Sequence, residues 1–182
     1  MNCRRISALA VLALLTALVL AGGQAGAVPG RAKNLYATVT KVTDGDTMRC
    51  RVAGASENVR LIGIDAPETS RNEKFRRDAR RDKAHKQRDL LGLGRMAREY
   101  AKRLVPLGSR VILEFDVQER DRYGRLLAYV WVKRDGRWVM LNSELLAAGL
   151  AQVMTIPPNV RHADYLYSVQ KRARRERVGL WR

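Results

Sequence analysis

An α+β fold, with a small barrel of about five strands and about three helices, is what the sequence predicts, and three observations carry it. The chain has 182 residues with no internal repeat and no Gly/Ser- or Pro-rich linker, which is the length of one domain, here residues 28–182. Three strand-like patterns crowd between Tyr36 and Asp65. The remainder reads as a helix, two strands and two helices, so strands and helices are segregated rather than alternating. A hydrophobic fraction of 46% supplies a core.

Taken in order, Tyr36 to Thr43 and Thr47 to Val52 alternate in polarity around Asp44-Gly45, the signature of a hairpin. Val59 to Asp65 reads as a third strand, broken by Ala66-Pro67. Residues 71–92 carry nine Lys/Arg against four Asp/Glu with few large apolar side chains, and read as a solvated loop or exposed helix. From Arg95 the pattern becomes amphipathic, with Met96, Ala97, Tyr100, Ala101 and Leu104 on one face, and ends before Pro106. Ser109 to Val117 and Leu126 to Val132 are the fourth and fifth strands. Asn142 to Ala148 and Arg161 to Arg177 are helices, the last with Leu166, Val169 and Ala173 inward. The order βββαββαα is compatible with an OB-fold-like barrel.

Residues 1–27 have the features of a signal peptide. Arg4 and Arg5 are followed by an Ala/Leu/Val run from Ala8 to Ala21 and by the small residues Ala25-Gly26-Ala27. The run of about 14 residues is short for a membrane span, which needs roughly 20; a retained anchor is the alternative. Cleavage after Ala27 leaves Cys50 as the single thiol, expected to act as a small buried hydrophobe within a strand. The chain is then expected to be secreted or periplasmic, monomeric, and without stable membrane association.

Against 18 Asp+Glu stand 35 Lys+Arg, a formal net charge of +17. Such an excess points to a polyanionic partner: nucleic acid, an acidic membrane surface or an acidic polysaccharide. Two cysteines are too few for a disulfide framework or a Cys-rich zinc site.

Four segments carry the chemistry: Thr43-Asp44-Gly45-Asp46-Thr47, Arg60, Asp65-Ala66-Pro67-Glu68-Thr69 and Asp121-Arg122-Tyr123-Gly124-Arg125. Singly, each has an ordinary reading as a turn or strand terminus. Together they put carboxylates and arginines at strand ends. Hard cations want several oxygen ligands, and phosphodiester hydrolysis needs cationic groups on the phosphate oxygens and a group to orient or deprotonate water.

In this order and spacing, Asp-Gly-Asp-Thr, Arg-Leu-Ile-Gly-Ile-Asp-Ala-Pro-Glu-Thr and Asp-Arg-Tyr-Gly-Arg-Leu-Leu-Ala-Tyr-Val resemble the staphylococcal nuclease (thermonuclease) family from about Tyr36 to Trp181. The resemblance implies an OB-fold nuclease that uses Ca²⁺ to cleave DNA and RNA and releases 3′-phosphate ends. It implies Asp46, Asp65 and the Ala66 carbonyl as Ca²⁺ ligands, Glu68 as the group that activates or positions water, and Arg60 and Arg125 as the arginines that grip phosphate. It further implies Asp44 as an acid beside the metal, and Arg122 and Tyr123 as substrate-binding residues of the nucleotide pocket. Two departures stand out. The stretch 152–158 lacks the family's pocket tyrosines, against which base stacking is worth about 1–3 kcal/mol per base. The basic stretch 71–92 is also longer than the loop it replaces, and is expected to be a substrate-gripping arm or a solvated insertion. Two other classes remain: a catalytically silent nucleic-acid-binding OB-fold module, which needs none of the five acids and arginines, and a cationic envelope-binding protein. Metal dependence of cleavage discriminates them.

Overall fold

The computed structural model describes residues 33–70 and 87–182. The leader reading at residues 1–27 and most of the basic stretch 71–92 therefore lie outside the described residues.

Strand β1 (Asn34–Val42) pairs antiparallel with β2 (Thr47–Val52), and β2 with β3 (Ala55–Leu61). Strand β5 (Arg110–Glu114) takes the other side of β1, and β6 (Leu126–Arg134) follows it. A parallel pairing of β3 with β6 closes a five-stranded mixed barrel, extended by β7 (Arg137–Met140). The fold is thus the expected α+β, OB-fold-like barrel, with three α-helices among the described residues. Val39, Met48, Cys50, Val59, Leu61, Val111, Leu113 and Ala128 fill the interior at the alternate positions that the two-residue strand period aims inward. Cys50 is fully buried, and burial pushes its thiol up to about 12, which makes it the inert small hydrophobe expected.

Helix α1 (Gln87–Leu104) begins before Arg95, so the end of the basic stretch is helical rather than separate from the amphipathic run. Its inward stripe also differs from the expected one: Leu90, Ala97, Ala101 and Leu104 are buried, whereas Met96 is exposed. One step of the helix, 100°, carries Met96 off the stripe that Ala97 and Ala101 share. Helices α2 (Leu141–Ala147) and α3 (Ala163–Arg175) agree with the sequence reading, and α3 buries Leu166 and Ala173. The β7 hairpin arm and the short β8 (Gln152–Met154) were not anticipated.

Strand 59–65 is not continuous. It stops at Leu61 and resumes as β4 (Gly63–Asp65), which leaves the barrel to pair with β8. Gly63 makes the break possible: its φ of +76° is left-handed, and a Cβ there would sit 2.6 Å from Leu166. Asn142 on α2 pins the same point. Its side-chain amide donates to the Ile62 carbonyl at 2.8 Å, while its oxygen accepts the Val130 N–H at 3.0 Å. The break turns the chain so that Asp65, Ala66 and Glu68 arrive beside the β1–β2 turn.

Candidate active site

The Asp44–Thr47 turn, the end of β3 and β4 converge on the floor of a cleft of about 1430 Å³. Within the turn, Asp44 Oδ1 accepts the Asp46 N–H at 3.3 Å, and the Thr43 N–H donates to the Thr47 carbonyl. Gly45 is required by contact: a Cβ at that position would lie 2.7 Å from the Cβ atoms of both Ala66 and Ala97. Across the floor, the Leu61 N–H donates to the Asp46 carbonyl at 2.9 Å and the Ala66 N–H donates to Asp46 Oδ2 at 2.8 Å. These bonds lock the first three segments together. Gly94 of α1 lies against the Pro67–Glu68 backbone so closely that no side chain fits between, which fixes the main chain that carries Glu68.

Arg60 is the centre of this arrangement. Its guanidinium lies 3.0 Å from Asp46 Oδ2 and donates to Asp65 Oδ1 at 2.9 Å, with only 11% of the side chain exposed. Nη1 also donates to the Leu61 and Ile64 carbonyls, each at 3.1 Å. Three elements thus orient one planar fork, the geometry that suits bidentate recognition of an oxyanion.

Further acids stand beside this ion pair. Burial pushes the Asp44 carboxyl up to about 7, and the neighbouring charges of Asp46 and Glu68 add to it. Among the described residues no three His, Cys, Asp or Glu side chains form a metal-holding group; Asp46 and Asp65 meet on the Arg60 guanidinium instead. Their oxygens, with the Ala66 main chain beside them, are hard donors without nitrogen or sulfur. That chemistry suits a hard cation that takes oxygen ligands.

Arg125 enters the same cleft from the 121–125 turn. Asp121 holds it: Oδ2 accepts Arg125 Nε at 2.7 Å and lies 2.7 Å from Nη2, while Oδ1 accepts the main-chain N–H groups of Tyr123 and Arg125. Burial pushes the Asp121 carboxyl up, but these donors outweigh it and hold it below the usual range. Tyr123 is 69% exposed at the rim, with the guanidinium of Arg122 4.8 Å and that of Arg125 5.6 Å from its ring centre. Arg122 also donates to the Tyr123 hydroxyl at 2.6 Å.

All four segments named from the sequence therefore meet in one cleft. Supporting roles were missed. Asp121 heads one of the four named segments without a role of its own there, whereas Asn142 and Gly94 act through tertiary contacts that leave no local pattern. Where the pocket tyrosines are lacking, Gln152, Met154 and Ile156 line the wall, a mixed amide, thioether and aliphatic surface.

Residues 58–182 match the family model described as staphylococcal nuclease homologue, a span that takes in Arg60, Asp65, Glu68 and Arg125. The chain is 33% identical over 143 residues to a thermonuclease of Staphylococcus hyicus, covering 79% of this chain and 73% of that protein. It is 32% identical over 145 residues to the SPbeta prophage-derived endonuclease YokF of Bacillus subtilis, covering 79% and 43%, and 30% identical over 150 residues to endonuclease YncB of the same organism, covering 82% and 63%.

Proposed function

From the premise that the chain belongs to the staphylococcal nuclease family, we propose that its cleft hydrolyses phosphodiester bonds of DNA or RNA in a Ca²⁺-dependent reaction that leaves 3′-phosphate ends. The observation that carries this reading is the Arg60 guanidinium on Asp46 and Asp65, with Asp44 and Glu68 crowded beside it and Arg125 in the same cleft. A module that only bound nucleic acid would gain nothing from burying that many carboxylates where a polyanion must approach.

Asp46, Asp65 and the Ala66 carbonyl would hold the ion. Bound there, Ca²⁺ supplies positive charge against the phosphate and against the charge that builds as the phosphorus becomes pentacoordinate. Glu68 accepts a proton from the attacking water, or holds that water in line. Arg60 and Arg125 donate N–H groups to the non-bridging oxygens, Arg60 preset by Asp46 and Asp65 and Arg125 by Asp121, so that little reorganisation is needed. Arg122 and Tyr123 form the rim against which a nucleotide lies. With residues 1–27 as a cleaved leader, the enzyme works as an exported monomer, secreted or periplasmic.

The test is Glu68→Gln, compared with wild type at saturating Ca²⁺ and end-labelled DNA. The amide keeps the shape and loses the basicity, so turnover falls by about 10²–10⁴-fold while binding is retained. Wild-type products carry 5′-hydroxyl and 3′-phosphate ends. Equal turnover of the two proteins overturns the assignment.

A further inference from the structure

We propose that the outer wall of the barrel is a second nucleic-acid-binding surface, a basic track that starts at the cleft and carries the strand away from the cut site; this rests on the nuclease reading above. The strand register builds it. Thr47 on β2 faces Arg60 on β3, and both line the cleft. One period further from the cleft, Arg49 faces Asn58 on one side and Lys41 on the other. One more period places Arg51 opposite Ser56 and Thr38, and Thr38 in turn faces Arg110 on β5.

Directly paired residues share one face of a sheet, and successive same-face positions stand about 6.7 Å apart. The inward partners Met48, Cys50, Val52 and Val59 are buried, so the Lys/Arg positions point outward, where Lys41, Arg49, Arg51 and Arg110 are exposed. Beyond Arg110 the track ends on Tyr36, 64% exposed, with the Arg110 guanidinium 5.6 Å from its ring centre. An exposed aromatic face in a basic groove is how sequence-tolerant single-strand binders seat a base.

Charge decides the kind of partner. The outward positions Tyr36, Thr38, Lys41, Arg49, Arg51, Ser56, Asn58 and Arg110 include four cations and no acid. Among the described residues none of the four cations is ion-paired, and Arg49 spends one donor on Asn58 at 3.3 Å. Protection of a sheet edge does not explain them, since β1 and β2 are paired on both sides. Cations released from pairing, continuous with a cleft that takes phosphate, fit the backbone of a single strand.

The experiment compares wild type with the triple variant Arg49→Ser/Arg51→Ser/Arg110→Ser. Binding of a long oligothymidylate is followed by anisotropy in chelator over a salt series, and cleavage of that oligomer and of a dinucleotide-sized substrate is followed in Ca²⁺. Each lost phosphate contact lowers the salt slope on single strands by about 0.7, so the triple variant should lose about 2 from its slope. Its KM for the oligomer should rise, while dinucleotide cleavage stays at the wild-type rate. The matching Arg→Lys triple variant keeps the slope, because counterion release depends on charge. An unchanged slope in the Ser variant, or equal loss in the Lys variant, overturns the track. Should wild type cleave neither substrate while the Ser variant still loses slope, the nuclease reading fails and the track stands.

Discussion

Around Arg60, four carboxylates gather near one guanidinium: Asp46 and Asp65 on its nitrogens, Asp44 and Glu68 close by. On the far side of β5 and β6 the proportion is reversed. Glu114 is 2% exposed, and it accepts Trp131 Nε1 at 2.7 Å, lies 3.1 Å from His162 Nε2, and has Arg161 Nη1 at 3.8 Å. His162 sets its ring edge-on to Tyr129, 4.5 Å between centres, and Arg161 also reaches Asp116. Burial pushes the Glu114 carboxyl up, but these donors and charges outweigh it and hold it below the usual range. Burial likewise acts on Asp44, but its neighbours are acids, so that carboxyl ends near 7. A buried acid that only holds the fold is matched donor for acceptor. The acids of the cleft stand close to one another as well as to Arg60, an oxygen-rich arrangement that a cation can join.

Breaking the comparison at its functional end gives the largest effect. Arg60→Lys keeps the charge but loses the planar fork, and turnover at saturating Ca²⁺ and DNA should drop by about 10²–10³-fold. Glu114→Gln should leave turnover near wild type. Matching losses in both variants would mean that the two clusters do not differ in role.

At the structural end, Glu114→Gln removes a buried charge from its donors and should cost about 1.5–3 kcal/mol in urea unfolding. An unchanged urea midpoint would make the Glu114 cluster ornamental. Asn142→Ala should cost a similar amount, about 2–4 kcal/mol, since the Ile62 carbonyl and the Val130 N–H both lose their partner in a buried site.

Opposite pH slopes sharpen the contrast. Glu114 has its folded value below the unfolded one, about 4.3, so its contribution is present above that pH and is lost as pH falls through the lower folded value. Glu114→Gln should flatten that acid limb of the stability curve. For Asp44 the folded value near 7 exceeds the unfolded value, about 3.9, so in chelator its contribution declines as pH rises between them. Asp44→Asn keeps the oxygen that accepts the Asp46 N–H, and should abolish this decline and raise the urea midpoint slightly above pH 7. A fall in that midpoint would contradict the crowding of the cleft acids.

The two regions were unequally legible in the sequence. Each cleft segment alone reads as a turn or strand end, and it is their order and spacing, resembling the staphylococcal nuclease family, that singles out Asp44, Asp46, Asp65, Glu68 and Arg125 in the sequence. Nothing local marks the Glu114 cluster: Glu114 is one acid at the end of a strand, and Trp131 and His162 reach it through sheet pairing and the start of α3. The barrel followed from strand alternation, but the break at Ile62–Gly63 did not, because Val59 to Ile64 is continuously apolar apart from Arg60 and the interruption is imposed by Asn142 and Leu166. Met96 was misassigned inward because an apolar side chain next to the true stripe satisfies the helical period almost as well.

The most direct measurement of the central claim, that the acids of the cleft hold a cation for phosphodiester cleavage, is the rate of single-stranded DNA cleavage in a chelated sample before and after Ca²⁺ is restored. The account predicts no cleavage in chelator, recovery with added Ca²⁺, and a shift of the Ca²⁺ dependence to higher concentration in Asp46→Ala, which loses one of two carboxylate ligands. Cleavage that proceeds unchanged in chelator, or an Asp46→Ala variant with the wild-type Ca²⁺ dependence, would contradict it.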